Sequence, residues 1–233
     1  MISQARIKVS AVRLQGDVWP CGKPSVLLAD DHAIIADGLR RLLEPECEVV
    51  GIVSDGYALI ETARETRPDI VLVDITMPLL NGIDATVQLL RDLPETHVIF
   101  LTMHADRAYA TEAFEAGAAG FVVKHAAPDE LWQAINTVLL GGAYMSPRVG
   151  GTGAMTKRRR ATSTPGVASF HLTTRQRQVL QLVAEGHSTK SIGLRLRLAP
   201  KTVEFHKYRA MKGLGLNSSA QLIQFALKHG LTS

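Results

Sequence analysis

From Ser25 onward the chain alternates two hydrophobic rhythms. Ser25-Val26-Leu27-Leu28-Ala29 is a continuous apolar run that stops at Asp30-Asp31. Between His32 and Glu44, Ile34, Ile35, Leu39, Leu42 and Leu43 recur at helical spacing, and Pro45 ends the helix they predict. The pair repeats: a strand over Glu48 to Val53, a helix from Gly56 to Thr66, a strand through Val73, and a helix from Gly82 to Arg91. It continues with a strand over His97 to Thr102, a helix from Ala105 to Glu115, a strand over Gly120 to Lys124, and a helix from Pro128 to Leu140, stopped by Gly141-Gly142. Strands that are apolar throughout, without alternation, are buried on both faces. Five of them interleaved with five helices predict an α/β fold, a doubly wound parallel sheet with right-handed crossovers. The common strand order for five is the flavodoxin-like 2-1-3-4-5.

That order sets the C-terminal ends of the first and third strands side by side, where open α/β sheets bind ligands. Asp30 and Asp31 follow the first strand, and Asp74 ends the third, Ile70-Val71-Leu72-Val73. Thr102 ends the fourth strand and Lys124 the fifth. Each has a plain structural reading: a helix cap for Asp30, Asp31 or Thr102, a turn opener for Asp74, a solvated charge for Lys124. All five at strand C-termini point instead to one crevice. Three carboxylates there repel unless a cation sits among them, and a compact all-oxygen cluster suits Mg²⁺.

Beyond residue 143 the rhythm changes. Residues 144–170 are rich in Gly, Ser, Thr and Pro and contain Lys157-Arg158-Arg159-Arg160, a run that reads as a solvated linker or as a set of phosphate contacts. From Leu172 the pattern is wholly helical. Thr173 or Thr174 caps a helix carrying Val179, Leu180, Leu182 and Val183, and Ser188 caps a short one carrying Ile192, Leu194 and Leu196. Pro200 opens a third helix running to about Lys212, and Ser218 or Ser219 caps a fourth with Leu222, Ile223, Phe225 and Leu227. The second and third, joined by a brief turn, describe a helix-turn-helix within an all-α four-helix unit. The expected organisation is a poorly ordered extension over 1–23, an α/β domain over 24–143, a basic linker over 144–170 and a helical domain over 171–233.

Charge divides at the same place. From Pro147 onward there are 15 Lys and Arg against two acids, Glu185 and Glu204; before it, 11 bases stand against 20 acids. An acidic half joined to a basic one predicts that only the second meets a polyanion. No apolar run approaches the roughly 18 residues that cross a bilayer, so no membrane partner and a cytoplasmic protein are expected. Cys21 and Cys47 are too few for a disulfide framework and read as free thiols.

Two resemblances sharpen these readings. Asp30-Asp31, the Asp74 run ending in Met77-Pro78 with Gly82 beyond it, Thr102 and Phe121-Val122-Val123-Lys124 resemble the receiver domains of two-component response regulators. That likeness implies Asp74 as phosphoacceptor for a sensor histidine kinase. It also implies Mg²⁺ held by Asp30, Asp31, Asp74 and the Thr76 backbone carbonyl, Lys124 on the phosphoryl group, and Thr102 with Phe121 as a switch pair. Leu172 to Leu231, through its Leu172–Leu180, Ala184-Glu185-Gly186, Ser188–Ile192 and Pro200–His206 stretches, resembles the LuxR-type DNA-binding domain. Together they place the chain with the NarL/FixJ class of transcription regulators, which implies promoter DNA as partner and a homodimer on phosphorylation or on DNA.

By the same resemblance the helix from Lys201 enters the major groove. Spacing then turns Val203 and Met211 to the core and Glu204, Phe205 and Tyr208 to base edges, packing being the other reading of the two aromatics. Lys190, Lys201, Thr202, His206, Lys207 and Arg209 fall to the DNA-contacting set, the basic ones on phosphates. The departures are Thr174 for the family's Pro, Gln176 and Gln178 for acids, Gly193 for Ala, Ala199 for a Ser or Thr cap, Gly213 for a base, and His125 for the Pro after the lysine. The lost cap and the two glycines predict a weakly stable output domain. Two other functions compete: a phosphorylation-independent docking module, against which the complete acidic set argues, and a Mg²⁺-dependent phosphatase with Asp74 as nucleophile. The phosphatase needs a second acid near the first, where Thr76 stands.

Overall fold

The computed structural model describes residues 22–103, 105, 107–126, 128–149, 154–155, 172–229 and 231–232. Residues 1–21 of the extension expected over 1–23, Cys21 among them, and the Lys157–Arg160 run lie outside them. The α/β unit comprises β1 (Ser25–Ala29), α1 (Ala33–Leu43), β2 (Glu48–Val53), α2 (Gly56–Thr66) and β3 (Ile70–Asp74). It continues through α3 (Gly82–Asp92), β4 (His97–Thr102), α4 (Arg107–Glu115), β5 (Gly120–Val123) and α5 (Pro128–Leu139). The strands lie parallel in the order β2-β1-β3-β4-β5, as the flavodoxin-like expectation requires.

The sheet does not stop at five strands. β6 (Ala143–Met145) adds to β5 in parallel and β7 (Ala154–Met155) pairs antiparallel to β6, giving seven. Tyr144 is buried, and its N–H donates to the Ala119 carbonyl at 2.9 Å. Part of the stretch expected to be linker is therefore folded onto the α/β unit. Strands of three and two residues are too short to show a period, and Gly141-Gly142 before them signals a turn.

Both faces of the sheet are covered, which is why its strands read as continuous apolar runs. Val26, Leu28, Ile70, Leu72, Ile99, Leu101 and Val122 pack against α1 and α5. Their neighbours Leu27, Ala29, Val71, Val73, Val98, Phe100, Phe121 and Val123 face α2, α3 and α4. This period of two sets the next residue out from each strand. Asp30, Asp74 and Lys124 continue the rows of Leu28, Leu72 and Val122, so all three emerge on the α1–α5 side.

The β3–α3 connection is held tightly at both ends. Gly82 N–H donates to the Ile75 carbonyl at 2.9 Å, and a Cβ on Gly82 would lie 2.0 Å from the Asp74 carbonyl oxygen. Only glycine lets α3 start so close to the end of β3. Asn81 caps α3 by accepting from Asp84 N–H at 2.9 Å. Between them Leu79 stands at φ 67, a left-handed conformation that costs a residue with a Cβ about 1–2 kcal/mol.

The helical unit comprises α6 (Thr174–Ala184), α7 (Thr189–Leu196), α8 (Pro200–Gly213) and α9 (Ser219–Lys228). Thr173 and Gln176 form a reciprocal capping box, so the glutamine standing for an acid still closes the N-terminus of α6. Ser188 caps α7 and Ser218 caps α9; Ala199 gives α8 no side-chain cap, although Pro200 occupies its first turn. Gly193 corrects a sequence expectation. Its missing Cβ would stand 2.7 Å from the Leu198 carbonyl, so the glycine allows the tight α7–α8 turn instead of weakening the helix.

Candidate functional site: an acidic strand-end pocket and an exposed helix

The strand ends bring the expected residues together. Lys124 Nζ lies 2.7 Å from Asp30 Oδ2 and 2.6 Å from Asp74 Oδ2, with all three side chains almost wholly buried. One ammonium thus bridges two carboxylates that would otherwise repel. Burial pushes the Asp74 carboxyl above its ordinary range; Lys124 pulls it back, Asp30 adds to the push, and the Thr76 backbone N–H opposes it. Asp74 is 4% exposed, and Asp30, joined to it through Lys124, lines an open cleft of about 440 Å³ with Asp31, Asp37, Ile52 and Ser54.

Ligand atoms of Asp30, Asp31, His32 and Asp74 all lie within 4.8 Å of one another. The donor set is three carboxylates and one imidazole, which fits a hard divalent cation with open positions for water or a phosphoryl oxygen. The histidine was not anticipated. Its Nδ1 is 2.9 Å from Asp31 Oδ1 and 3.3 Å from Asp30 Oδ1, and its backbone N–H donates to Asp30 Oδ1 at 2.9 Å. It follows the acidic pair directly in sequence, and that adjacency was the signal available.

Thr102 is buried at the end of β4, and its carbonyl accepts from the Lys124 N–H at 2.7 Å. Phe121 is fully buried, opposite Phe100 in the β4–β5 register. Thr76 is half-buried two residues beyond Asp74. No second carboxyl stands at that position.

On the helical unit, α8 turns Val203 and Ala210 inward. Glu204, Phe205, Tyr208 and Arg209 are exposed, Phe205 by 57% and Tyr208 by 62%. Lys190 and Lys201 are exposed as well; Thr202, His206 and Lys207 are half-buried, and Met211 packs at the edge of the core formed with Leu180 and Leu222. Arg209 lies over the Phe205 ring at 5.9 Å. Glu204 accepts from Thr189 Oγ1 at 2.5 Å, a tie between α7 and α8.

A third set of residues escaped the sequence reading because it joins the two units. Arg177, Gln181 and Glu185, four residues apart, form one stripe along α6 that faces the β3–α3 loop. Gln181, wholly buried, donates to the Met77 carbonyl at 2.7 Å and accepts from the Asn81 N–H at 3.1 Å. Both Glu185 oxygens accept from the Leu79 N–H, at 3.2 and 3.3 Å. Arg177 lies 3.7 Å from Asp84 and 3.6 Å from Glu112. Burial drives the Asp84 carboxyl up to about 6 despite Arg177 and the Asn81 amide.

Known proteins repeat this two-part organisation. The model of the response regulator receiver domain matches residues 26–136, and that of the bacterial regulatory proteins of the luxR family matches residues 171–226. The transcriptional regulatory protein MctR of Rhizobium johnstonii is 38% identical over 213 residues, covering 91% of this chain and 96% of its own. The response regulator GacA of Pseudomonas aeruginosa is 34% identical over 208 residues, covering 88% and 96%. Among solved structures, RcsB from Salmonella enterica serovar Typhimurium, bound to promoter rprA with the phosphomimetic BeF3-, is 26% identical with a TM-score of 0.61. The match covers 87% of this chain and 98% of that one. With the strand-end pocket and the helix-turn-helix in one chain, the protein belongs to the response regulators of the NarL/FixJ class, a receiver joined to a LuxR-type DNA-binding domain.

Proposed function

We propose that Asp74 is the phosphoacceptor and that its modification by a sensor histidine kinase controls dimerisation and promoter binding. The observation that carries this is the Asp30–Lys124–Asp74 bridge beside an open cleft. An Asp74 carboxylate oxygen attacks the phosphorus of a phosphohistidine; the new O–P bond forms as the P–N bond breaks, and the imidazole keeps the electron pair and takes up a proton. Lys124 then exchanges part of its carboxylate contact for the phosphoryl oxygens. Asp30, Asp31, Asp74 and the Thr76 carbonyl would hold Mg²⁺, which supplies charge neutralisation at those oxygens. Thr102 and Phe121 are the switch pair of this reading. Catalysis on other substrates forms no part of it beyond slow loss of the phosphoryl group to water.

The output is contact between α8 and the major groove of promoter DNA in the cytoplasm. Phe205, Tyr208 and Glu204 face base edges, Lys190, Lys201, His206, Lys207 and Arg209 fix the register on phosphates, and Thr202 joins the DNA-contacting set. Two half-sites about 34 Å apart require two copies of α8, hence a homodimer. Incubation with Mg²⁺ and a small phosphodonor should give an acid-stable, base-labile adduct that is absent from Asp74→Asn. Unlabelled wild type overturns the reading and favours a phosphate-independent docking module; turnover without an adduct favours a phosphatase. Promoter binding that falls with salt and rises with phosphorylation ties the two halves together.

A further inference from the structure

His32 occupies the N-cap position of α1, yet its imidazole accepts no hydrogen bond from the first turn of that helix. The ring is turned instead onto the acid pair that precedes it. Nδ1 lies 2.9 Å from Asp31 Oδ1 and 3.3 Å from Asp30 Oδ1. The His32 N–H, donating to Asp30 Oδ1 at 2.9 Å, closes a local turn that holds the ring there. Lys124 meets other oxygens of the pocket, Oδ2 of Asp30 and Oδ2 of Asp74. The imidazole and the ammonium therefore address different atoms of one cluster. A further carboxylate of the cleft, Asp37, is engaged by Arg40 and Arg41 and stands outside the cluster.

We propose that His32 Nδ1 is a direct ligand of the divalent cation in this pocket, and that the site thereby takes a borderline first-row cation such as Mn²⁺ or Co²⁺ in preference to Mg²⁺. The inference rests on the reading of the pocket as a cation site, and it does not depend on Asp74 being the phosphoacceptor. Two ligand atoms at about 2.1 Å from one ion stand about 3.0 Å apart at a right angle and about 3.4 Å apart at a tetrahedral angle. The two Nδ1 distances, 2.9 and 3.3 Å, are spacings of that kind. Ligands on opposite sides of such an ion stand about 4.2 Å apart. The four candidate atoms, one each from Asp30, Asp31, His32 and Asp74, all lie within 4.8 Å of one another, so small side-chain movements close them on one ion.

The donor chemistry sets the preference. Carboxylate and carbonyl oxygens suit Mg²⁺ and Mn²⁺ alike, whereas an imidazole nitrogen adds affinity for the transition ions, rising from Mn²⁺ through Fe²⁺ to Co²⁺. Coordination through Nδ1 leaves the ring hydrogen on Nε2, and a ring that is 52% exposed can donate it to water. An imidazole that only donates its Nδ1 hydrogen to Asp31 has similar distances but no say in which cation binds.

Mn²⁺ serves as the probe. Electron spin echo spectra of the full chain with Mn²⁺, in the absence of any phosphodonor, should show a directly bound nitrogen whose frequencies shift when histidine alone carries ¹⁵N. That coupling should vanish in His32→Asn, a substitution that suits an N-cap position and so should leave folding intact. It should persist in His125→Asn, which alters the exposed histidine next to Lys124. Displacement of Mn²⁺ by Co²⁺ and by Mg²⁺, read from the sharp spectrum of the freed ion, should give a preference for Co²⁺ that falls by about tenfold or more in His32→Asn. His32→Gln should give the same two results, with far-UV circular dichroism as the control on folding. A wild type without nitrogen coupling, a coupling that survives in His32→Asn, or an unchanged ratio of Co²⁺ to Mg²⁺ affinity overturns the proposal. A chain that leaves all Mn²⁺ free overturns it too, and removes the cation site with it. Phosphodonor labelling decides the acceptor reading separately: nitrogen coupling without an adduct keeps the ligand and sinks the acceptor, and an adduct without the coupling does the reverse.

Discussion

The Asp74 pocket and the outward face of α8 are both made of charged and polar side chains, yet opposite rules fix them. At Asp74 the carboxylates and the ammonium are buried and mutually paired, and the backbone that follows is pinned by close glycine contacts at the Asp74 carbonyl and at Leu80. On α8 Lys201, Phe205, Tyr208 and Arg209 stand in solvent, and the helix lacks a side-chain cap. A site that must hold a charge change has to be over-determined, because a buried charge without partners is costly. A surface that meets a polyanion gains from staying hydrated until contact. Substitutions should therefore damage folding at the first site and binding at the second.

The largest effect expected is at Gly82. Gly82→Ala places a methyl group 2.0 Å from the Asp74 carbonyl, so either α3 or the end of β3 must move. Destabilisation of the receiver by about 3 kcal/mol in chemical unfolding is expected, together with loss of phosphoacceptance. A variant as stable as wild type would show that the loop has slack and would weaken the contrast.

Asp84 sharpens it through pH. Its carboxyl is raised in the folded chain from 3.8 to about 6, so this group's contribution is fully present below about pH 4 and is lost as pH rises through 6. The shift converts to roughly 3 kcal/mol as an upper bound for a largely buried group. Asp84→Asn should be more stable than wild type at pH 7, by about 1–3 kcal/mol, with the difference shrinking toward pH 4. Urea midpoints at several pH values measure this, and a gap that does not change with pH refutes it.

Legibility in the sequence follows the same division. Four of the five long strands were readable because each is buried on both faces and ends at a chemically distinct residue, Asp30, Asp74, Thr102 or Lys124; β2, a partly exposed edge strand, showed only as an apolar run between two helical patterns. β6 and β7 were not readable, since two or three residues carry no period. Leu79 and Gln181 were invisible for another reason. A leucine after proline and a glutamine inside a helix are ordinary until the partner surface is known, and those partners lie 100 or more residues away in sequence. Gly193 was misread because its close contact is with a turn whose geometry sequence does not give.

On α8 the expected effects are smaller for folding and larger for binding. Tyr208→Ala removes an exposed ring, so stability should change by less than about 0.5 kcal/mol. Promoter affinity should fall by about 1–3 kcal/mol with altered base preference. Lys207→Ala should weaken all sequences alike and lower the salt slope of binding by about one. Titrations of cognate and scrambled DNA at several salt concentrations separate the two. An equal loss on both DNAs for Tyr208→Ala would assign that ring to the backbone.

The smallest effects concern two glycines that sequence alone treats alike. Gly213 has open space where a Cβ would stand and closes α8 without a positive φ, so Gly213→Ala should stabilise the DNA-binding unit by about 0.5–1 kcal/mol. Gly193 has the Leu198 carbonyl 2.7 Å from the same atom. Gly193→Ala gains the same helix propensity but must push the α7–α8 turn apart, and a backbone oxygen cannot swing aside as a side chain can. Its net effect should be destabilising, by about 1–2 kcal/mol. Because that turn sets the angle between α7 and α8, Gly193→Ala should also lower promoter affinity, while Gly213→Ala leaves it unchanged. Thermal unfolding and DNA titration of the pair decide the matter: the same sign of stability change for both would mean that helix propensity, and not the turn, governs this unit.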